Sequence, residues 1–236
     1  MKILVTCAVE SEIGAGLGAP DFSDDIFIVR TGIGMRRPQD ELRKALTRPV
    51  DICISSGLAG SLREQYPVGS IVVARAIKSD SKKTIVPCDG TLIEAAVRCG
   101  ATPVDFFFTS AGIANSETER SRLAGSAEAV DMESFHILTE AQRSAVPAVA
   151  IRAISDTPER RLPIDFSRTV TSCGDVAWPR MIGELVKNPV RIPAFVRFGL
   201  DTSAAIRNLT TFLDRYVKFL MMNKASFPIA AEQMSR

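Results

Sequence analysis

Two carboxylates stand where a sequence can do chemistry. Glu133 falls near the end of Ala129-Val130-Asp131-Met132-Glu133-Ser134, and Asp156 ends Ile151-Arg152-Ala153-Ile154-Ser155-Asp156. Each follows an apolar run, and a helix and a buried strand would join them. A buried glutamate at 133 can accept two hydrogen bonds from vicinal sugar hydroxyls, with Met132 as an apolar platform for the ring. A carboxyl at the end of a buried strand is placed to protonate a leaving group. The plainer readings are a capping acid beside a core methionine, and an Asp that caps a helix or sits in a loop. Arg152 shares a strand with Asp156 and is expected to pair with a nearby acid.

Three further stretches carry possible chemistry. Glu10 and Glu12 follow the first strand; a glutamate there either positions a water or sits in the solvated first turn of a helix. Thr31-Gly32-Ile33-Gly34 follows the second strand. Its glycines let backbone N–H groups approach an anion or a sugar, and Arg36 and Arg37 nearby suit a phosphate; otherwise it is a plain turn. The spacing G-x-G-x-x-G is missing, which argues against a dinucleotide-binding dehydrogenase. Ser55-Ser56-Gly57-Leu58-Ala59-Gly60 is a small-residue loop against which a flat heterocycle or a ribose could lie; tight packing of the next segment would need the same residues.

What the chain lacks narrows the chemistry. His136 is its single histidine and reads as a partly buried helix residue, so a Ser-His-Asp hydrolase or a multi-histidine metal site is not expected. Acid–base work falls mainly to carboxylates, or to Cys, Lys or Tyr with shifted pKa values. The five cysteines (Cys7, Cys53, Cys88, Cys99, Cys173) are scattered without metal or CxxC spacing, so reduced thiols in a cytosol are expected. Net charge is +2, which gives no electrostatic case for nucleic acid. Met1–Val5 is too short an apolar run for a signal peptide and reads as a strand. No stretch reaches the ~20 apolar residues of a membrane span.

The elements that must position these residues alternate. Strands are expected at Lys2–Ala8, Ile26–Thr31, Ile52–Ser56, Val68–Ile77, Val104–Thr109 and Val146–Ile154. Helices are expected at Pro38–Leu46, Thr91–Arg98, Glu117–Leu123 and Glu133–Arg143. The charged, Pro-containing stretch Thr157–Phe166 reads as a loop. Pro193 is expected to break one segment, after which Ala204–Leu220 reads as an amphipathic helix decorated by Arg207, Arg215 and Lys218. Alternating strands and helices predict an α/β protein with an at least partly parallel sheet. In such sheets ligands bind where strands end, which selects the loops after Val5, Ile54 and Ile154.

As an ordered set these motifs resemble the nucleoside phosphorylase superfamily, the family 1 purine phosphorylases and related nucleosidases. Ala8-Val9-Glu10-Ser11-Glu12 is similar to the nucleosidase start, and Thr31–Gly34 to its "SGIG" turn. Ile54–Leu62 with Val68–Val73 resembles "NTGSAGGL…VGDIVV". Val130–Glu133 resembles "VEME", and Arg152–Asp156 resembles "RAISD". The resemblance runs from Met1 to about Val186. It implies a single-domain, three-layer α/β/α fold with a central mixed sheet over 1–188, and a C-terminal helical extension, 189–236, packed on it. It also implies cleavage of a purine N-glycosidic bond. Asp156 would protonate the purine N7, Glu133 would hold the ribose 2′- and 3′-hydroxyls above Met132, and Ala59 and Gly60 would line base and ribose. Glu12 would orient the attacking water. Arg152 is expected in the substrate site, and Gly32, Gly34 and Arg36 in a phosphate or water site. No metal or organic cofactor is implied; phosphate is the alternative co-substrate to water.

The departures point further. Leu58 replaces a small polar residue, so the nucleophile-binding hydroxyl of that loop lacks its usual counterpart. Ser61 replaces a glycine, and Asp131 and Ser134 also differ from the commonest nucleosidase form. With the segment Pro193–Leu220 these features resemble the hopanoid-associated phosphorylases. The implied substrate is a 5′-substituted adenosine such as adenosylhopane; the alternatives are 5′-methylthioadenosine or S-adenosylhomocysteine, or a general purine nucleoside. A non-catalytic nucleoside-binding protein is the reading from a different class. A cytoplasmic homodimer is expected. Its C-terminal helix either touches a membrane surface peripherally, covers an apolar channel, or packs on the body or a second subunit.

Overall fold

Strand β1 (Ile3–Cys7) is buried along its whole length. Such a strand must be covered on both faces and paired on both edges. It lies parallel to β2 (Ile26–Arg30) on one side and to β3 (Ile52–Ser61) on the other. The computed structural model describes residues 1–8, 25–31, 38–80, 82–112, 117–158, 190 and 192–227. The expected residues Glu10, Glu12, Gly32, Gly34, Arg36 and Arg37, and the loop beyond Pro158, lie outside the described residues.

Beyond β3 the sheet curls back on itself. β3 pairs in parallel with β8 (Ala148–Asp156), and β8 pairs antiparallel with β4 (Ile71–Ser79). β4 is parallel to β6 (Thr102–Thr109), and β6 is parallel to β7 (Ala129–Asp131). β7 then returns to β3, antiparallel, through Gly60↔Val130 and Ser61↔Ala129. These five strands close a circuit, with β1 and β2 as a flange on β3 and β5 (Lys82–Pro87) antiparallel on β4. The expected mixed sheet is present, with α1 (Pro38–Leu46), α2 (Gly90–Arg98), α3 (Glu117–Ala124), α4 (Ser134–Arg143) and α5 (Ile192–Met222) among its strands.

Three expectations are corrected. Gly57–Gly60 is not a loop: β3 continues through it to Ser61 because β8 pairs with it as far as Gly60. The fourth strand starts at Ile71, not Val68; Gly69 lies before it at φ 86°, a turn conformation that suits glycine. Pro193 does not break α5 but lies in its first turn, where a missing N–H is tolerated.

The second half of α5 completes the core. Ala205, Leu209, Phe212, Leu213, Tyr216, Val217 and Leu220 are all buried, recurring with helical period on one face. The Tyr216 hydroxyl donates to the Leu92 carbonyl of α2 at 2.9 Å, and Asn208 donates to the Gly69 carbonyl at 3.0 Å. On the opposite side α4 is tied to α1: Arg43 donates through Nε and Nη2 to Glu140, both at 2.9 Å, and Arg143 adds a 2.7 Å bond. These arginines hold the buried Glu140 carboxyl below its ordinary range, the Arg43 hydrogen bond being the largest cause.

Candidate active site

The edge of β3 that faces away from β8 changes partner along its length. β1 pairs with it at residues 52–55, and β7 takes over at Gly60. Among the described residues no strand pairs with Gly57, Leu58 or Ala59 on that edge. β1 and β7 diverge there, the kind of split at which α/β sheets hold ligands. Because β1, β2, β3 and β8 run parallel, their C-terminal ends all lie at this side. The chain stretches that follow Ala8 and Thr31 leave from there, Thr31 being anchored to the Cys7 carbonyl by its N–H and by its hydroxyl at 3.1 Å.

Gly60 is the hub. It is in register with Asp156 on one side and Val130 on the other, so one glycine brings the Asp156 strand end and the Val130–Glu133 segment together. Adjacent strands lie about 4.8 Å apart, which places these two backbones roughly 10 Å from each other across it. A Cβ at residue 60 would sit 3.1 Å from Asp156 Oδ2, and 3.4 Å from both Asp156 Oδ1 and Arg120 Nη2. The missing side chain lets the carboxylate pack close against the β3 backbone.

Asp156 is the last residue of β8 and is buried, as is Ser155. The Ser155 hydroxyl lies 2.8 Å from Asp156 Oδ1 and 3.3 Å from the Ala59 carbonyl, and its single proton serves one of them at a time. Asp156 Oδ2 accepts from Arg120 Nη2 of α3, and Arg120 Nη1 donates to the Thr157 carbonyl at 3.4 Å. Only 11% of the Arg120 side chain is exposed. No motif marks Arg120: it lies 36 residues from its partner, on a polar helix.

Glu133 is buried at the N-cap position of α4, yet its side chain makes no cap hydrogen bond. The capping alternative is therefore not its role. Met132 beside it is half-buried, and Ala59 is buried on β3.

What fixes this turn is a buried ionic network behind it. Arg152, 1% exposed, donates from Nε to Asp131 Oδ2 at 3.0 Å, and its Nη2 lies 2.8 Å from the same oxygen. Nη1 donates to the carbonyls of Ser55 at 2.7 Å and Ile151 at 2.9 Å, and Nη2 to the hydroxyls of Ser55 at 3.0 Å and Ser134 at 2.7 Å. All five guanidinium N–H groups thus have acceptors within the chain. Asp131 Oδ1 accepts from Thr109 at 2.7 Å, and Oδ2 from the Ser134 N–H at 3.3 Å and from its hydroxyl. The acid expected to pair with Arg152 is Asp131. The arginine clamps β3, β7, β8 and the start of α4 from inside, so it positions Glu133 rather than offering a donor to the gap in the β3 edge.

Three buried groups are removed from acid–base chemistry. Burial pushes the Cys53 and Cys88 thiols up to about 12 and the Tyr216 phenol well above its ordinary value. None of the three serves as an acid or base near pH 7. His136 is half-buried on α4, edge-on to Phe135 at 5.8 Å. Among the described residues no cluster of three His, Cys, Asp or Glu side chains is placed to hold a metal, and no helix is long and apolar enough to cross a membrane.

Comparison with known proteins agrees with this architecture. The family model of the Phosphorylase superfamily matches residues 22–173. No curated protein matches the chain by sequence. Among solved structures, the 5′-methylthioadenosine/S-adenosylhomocysteine nucleosidase of Campylobacter jejuni is similar at 14% identity, with a TM-score of 0.66 over 92% of this chain and 99% of that one. The Colwellia psychrerythraea nucleosidase of the same type, in complex with adenine, is 18% identical with a TM-score of 0.65 over 93% and 96%. Futalosine hydrolase of Helicobacter pylori is 17% identical with a TM-score of 0.63 over 92% and 97%. At these identities the likeness establishes a shared fold.

Proposed function

The chain belongs to the phosphorylase superfamily, and from that premise we propose that it is an enzyme that cleaves the N-glycosidic bond of a purine nucleoside. The observation that carries this reading is the convergence of Asp156 and the Met132–Glu133 turn on Gly60, beside a gap in the β3 edge.

In this reading Glu133 accepts hydrogen bonds from the ribose 2′- and 3′-hydroxyls above Met132, and Ala59 and Gly60 line base and sugar. Asp156 gives its proton to N7 of the base. The C1′–N9 bond breaks with its electron pair going to the base, and the sugar passes through an oxocarbenium-like state. A water oriented by Glu12 bonds to C1′ and loses its proton to that glutamate. Products are free base and ribose; one proton moves from Glu12 through solvent to Asp156 to restore the enzyme. Positioning and charge placement do the catalysis, and the scheme needs no metal or organic cofactor. Water is favoured as acceptor because the similar structures are named as nucleosidases and a hydrolase. Phosphate, held by Gly32, Gly34 and Arg36, is the competing acceptor.

We further propose adenine as the base and an apolar 5′ substituent of the adenosylhopane type, cleaved in hopanoid biosynthesis. The departures at Leu58 and Ser61 support this. So does the first half of α5, where Ile192, Val196 and Leu200 are exposed, a surface suited to a lipid-linked substrate or to peripheral membrane contact by a cytoplasmic homodimer. The test is to incubate the protein with adenosine, 5′-methylthioadenosine, inosine and a 5′-alkylated adenosine, with and without phosphate. Base and the unphosphorylated sugar, still carrying any 5′ substituent, are expected in phosphate-free buffer, fastest from the alkylated substrate. Ribose 1-phosphate as the sole sugar product would overturn the hydrolytic reading. Tight nucleoside binding without any base release would leave a non-catalytic binding protein.

A further inference from the structure

We infer that Arg120 is a positioning residue for the proton donor Asp156; the inference rests on the nucleosidase reading above. The Asp156 carboxyl is held from two different elements. Ser155 of its own strand approaches Oδ1 at 2.8 Å, and Arg120 of α3 donates to Oδ2. Two anchors on two oxygens fix both the location and the plane of the group. Arg120 is itself fixed by the Thr157 carbonyl, and its side chain is nearly as buried as that of Asp156. Gly60 is the counterpart on β3, since a Cβ there would press on Asp156 Oδ2 at 3.1 Å and touch Arg120 Nη2 at 3.4 Å.

When Asp156 gives up its proton it becomes an anion in a largely buried place, which is costly without a partner. A guanidinium already in contact stabilises that anion as it forms, with no rearrangement. The Arg120 guanidinium carries donors only, so it orients the carboxyl and does not itself take up the proton. Each carboxyl oxygen has a second lone-pair direction, so a purine edge reaches Asp156 without dislodging either anchor.

A double-mutant cycle tests this. Base release from the substrate that the wild-type protein cleaves fastest is measured for the wild type, Arg120→Met, Asp156→Asn and the double variant, with a thermal melt of each. Arg120→Met is expected to lower kcat about 10- to 100-fold while KM stays within ~3-fold. Arg120→Lys, which keeps the charge but loses the fork, is expected to recover part of the loss, and it carries the test if the Met variant does not fold. The double variant is expected to be no slower than Asp156→Asn alone. Wild-type kcat in Arg120→Met, or losses that multiply in the double variant, would overturn the inference while leaving the nucleosidase reading intact. A wild-type protein that releases no base from any nucleoside sinks that reading and this inference together.

Discussion

Replacing Gly60 by alanine separates geometry from chemistry at this site, because the substitution adds one methyl and removes no polar group. The added Cβ would sit 3.1 Å from Asp156 Oδ2, where ordinary contact begins at 3.4 Å. The carboxylate must therefore retreat by about 0.3 Å, away from β3 or out of line with Arg120. A misplacement of ~1 Å costs on the order of 100-fold in rate. Scaled in proportion, 0.3 Å costs about 4-fold, and weakening of the Arg120 contact raises the expected loss in kcat to roughly 4- to 10-fold. Stability should hardly change. Alanine in a strand gains ~0.5 kcal/mol over glycine, against ~1 kcal/mol or more for overpacking, so the melting temperature of a chain of this size moves by no more than about 3 °C. The assay is steady-state base release beside a thermal melt. Unchanged kcat with an unchanged melt would refute the placement of Asp156 against Gly60. A large drop in melting temperature would show that the glycine serves packing instead.

Two other predictions follow from the buried charges. Arg152→Met strands Asp131 in the interior and is expected to cost ~3–5 kcal/mol in a denaturant titration; Arg152→Met with Asp131→Leu should recover part of it, and a loss no smaller in the pair would contradict the direct ion pair. Because the Glu140 carboxyl is lowered in the folded state, its stabilisation is fully present above the ordinary value of 4.5 and is lost as pH falls through the lowered folded value. Glu140→Gln should therefore narrow its stability gap to the wild type at low pH, with a gap of ~1 kcal/mol at pH 7, since both arginines are about half exposed. A gap independent of pH would contradict the linkage.

The elements read most closely from the sequence were those with a dense periodic signal. β1 lies inside its expected span, α1 matches its expected bounds, and the buried face of α5 lies within its expected span Ala204–Leu220, although the helix itself begins earlier, at Ile192. The misses have physical causes. β7 is three residues long, too short to show a period, and β5, KKTIVP, opens with two lysines and closes on a proline. Gly57–Gly60 looks like a loop because small residues favour loops, yet strand pairing overrides that preference. At the site, the ordered motifs singled out Asp156 and Glu133, which lie in segments that the fold brings to either side of Gly60; an acid partner for Arg152 was expected, and which acid it is came only from the structure. Arg120 was invisible because its partner is fixed by tertiary packing alone.

The place of α5 in the core also sets a clock on synthesis. Leu209 to Leu220 cover β8 and α2, strands and helices made long before them. Until these residues leave the ribosome, the apolar faces that they cover lie open. At roughly 5–20 residues per second, the 64 residues from Thr157, just after β8, to Leu220 take about 3–13 s to be made. For that interval the nascent chain holds a finished sheet with one face bare, so a pause in translation before residue 205 lengthens the period in which chaperones and neighbouring chains compete for it.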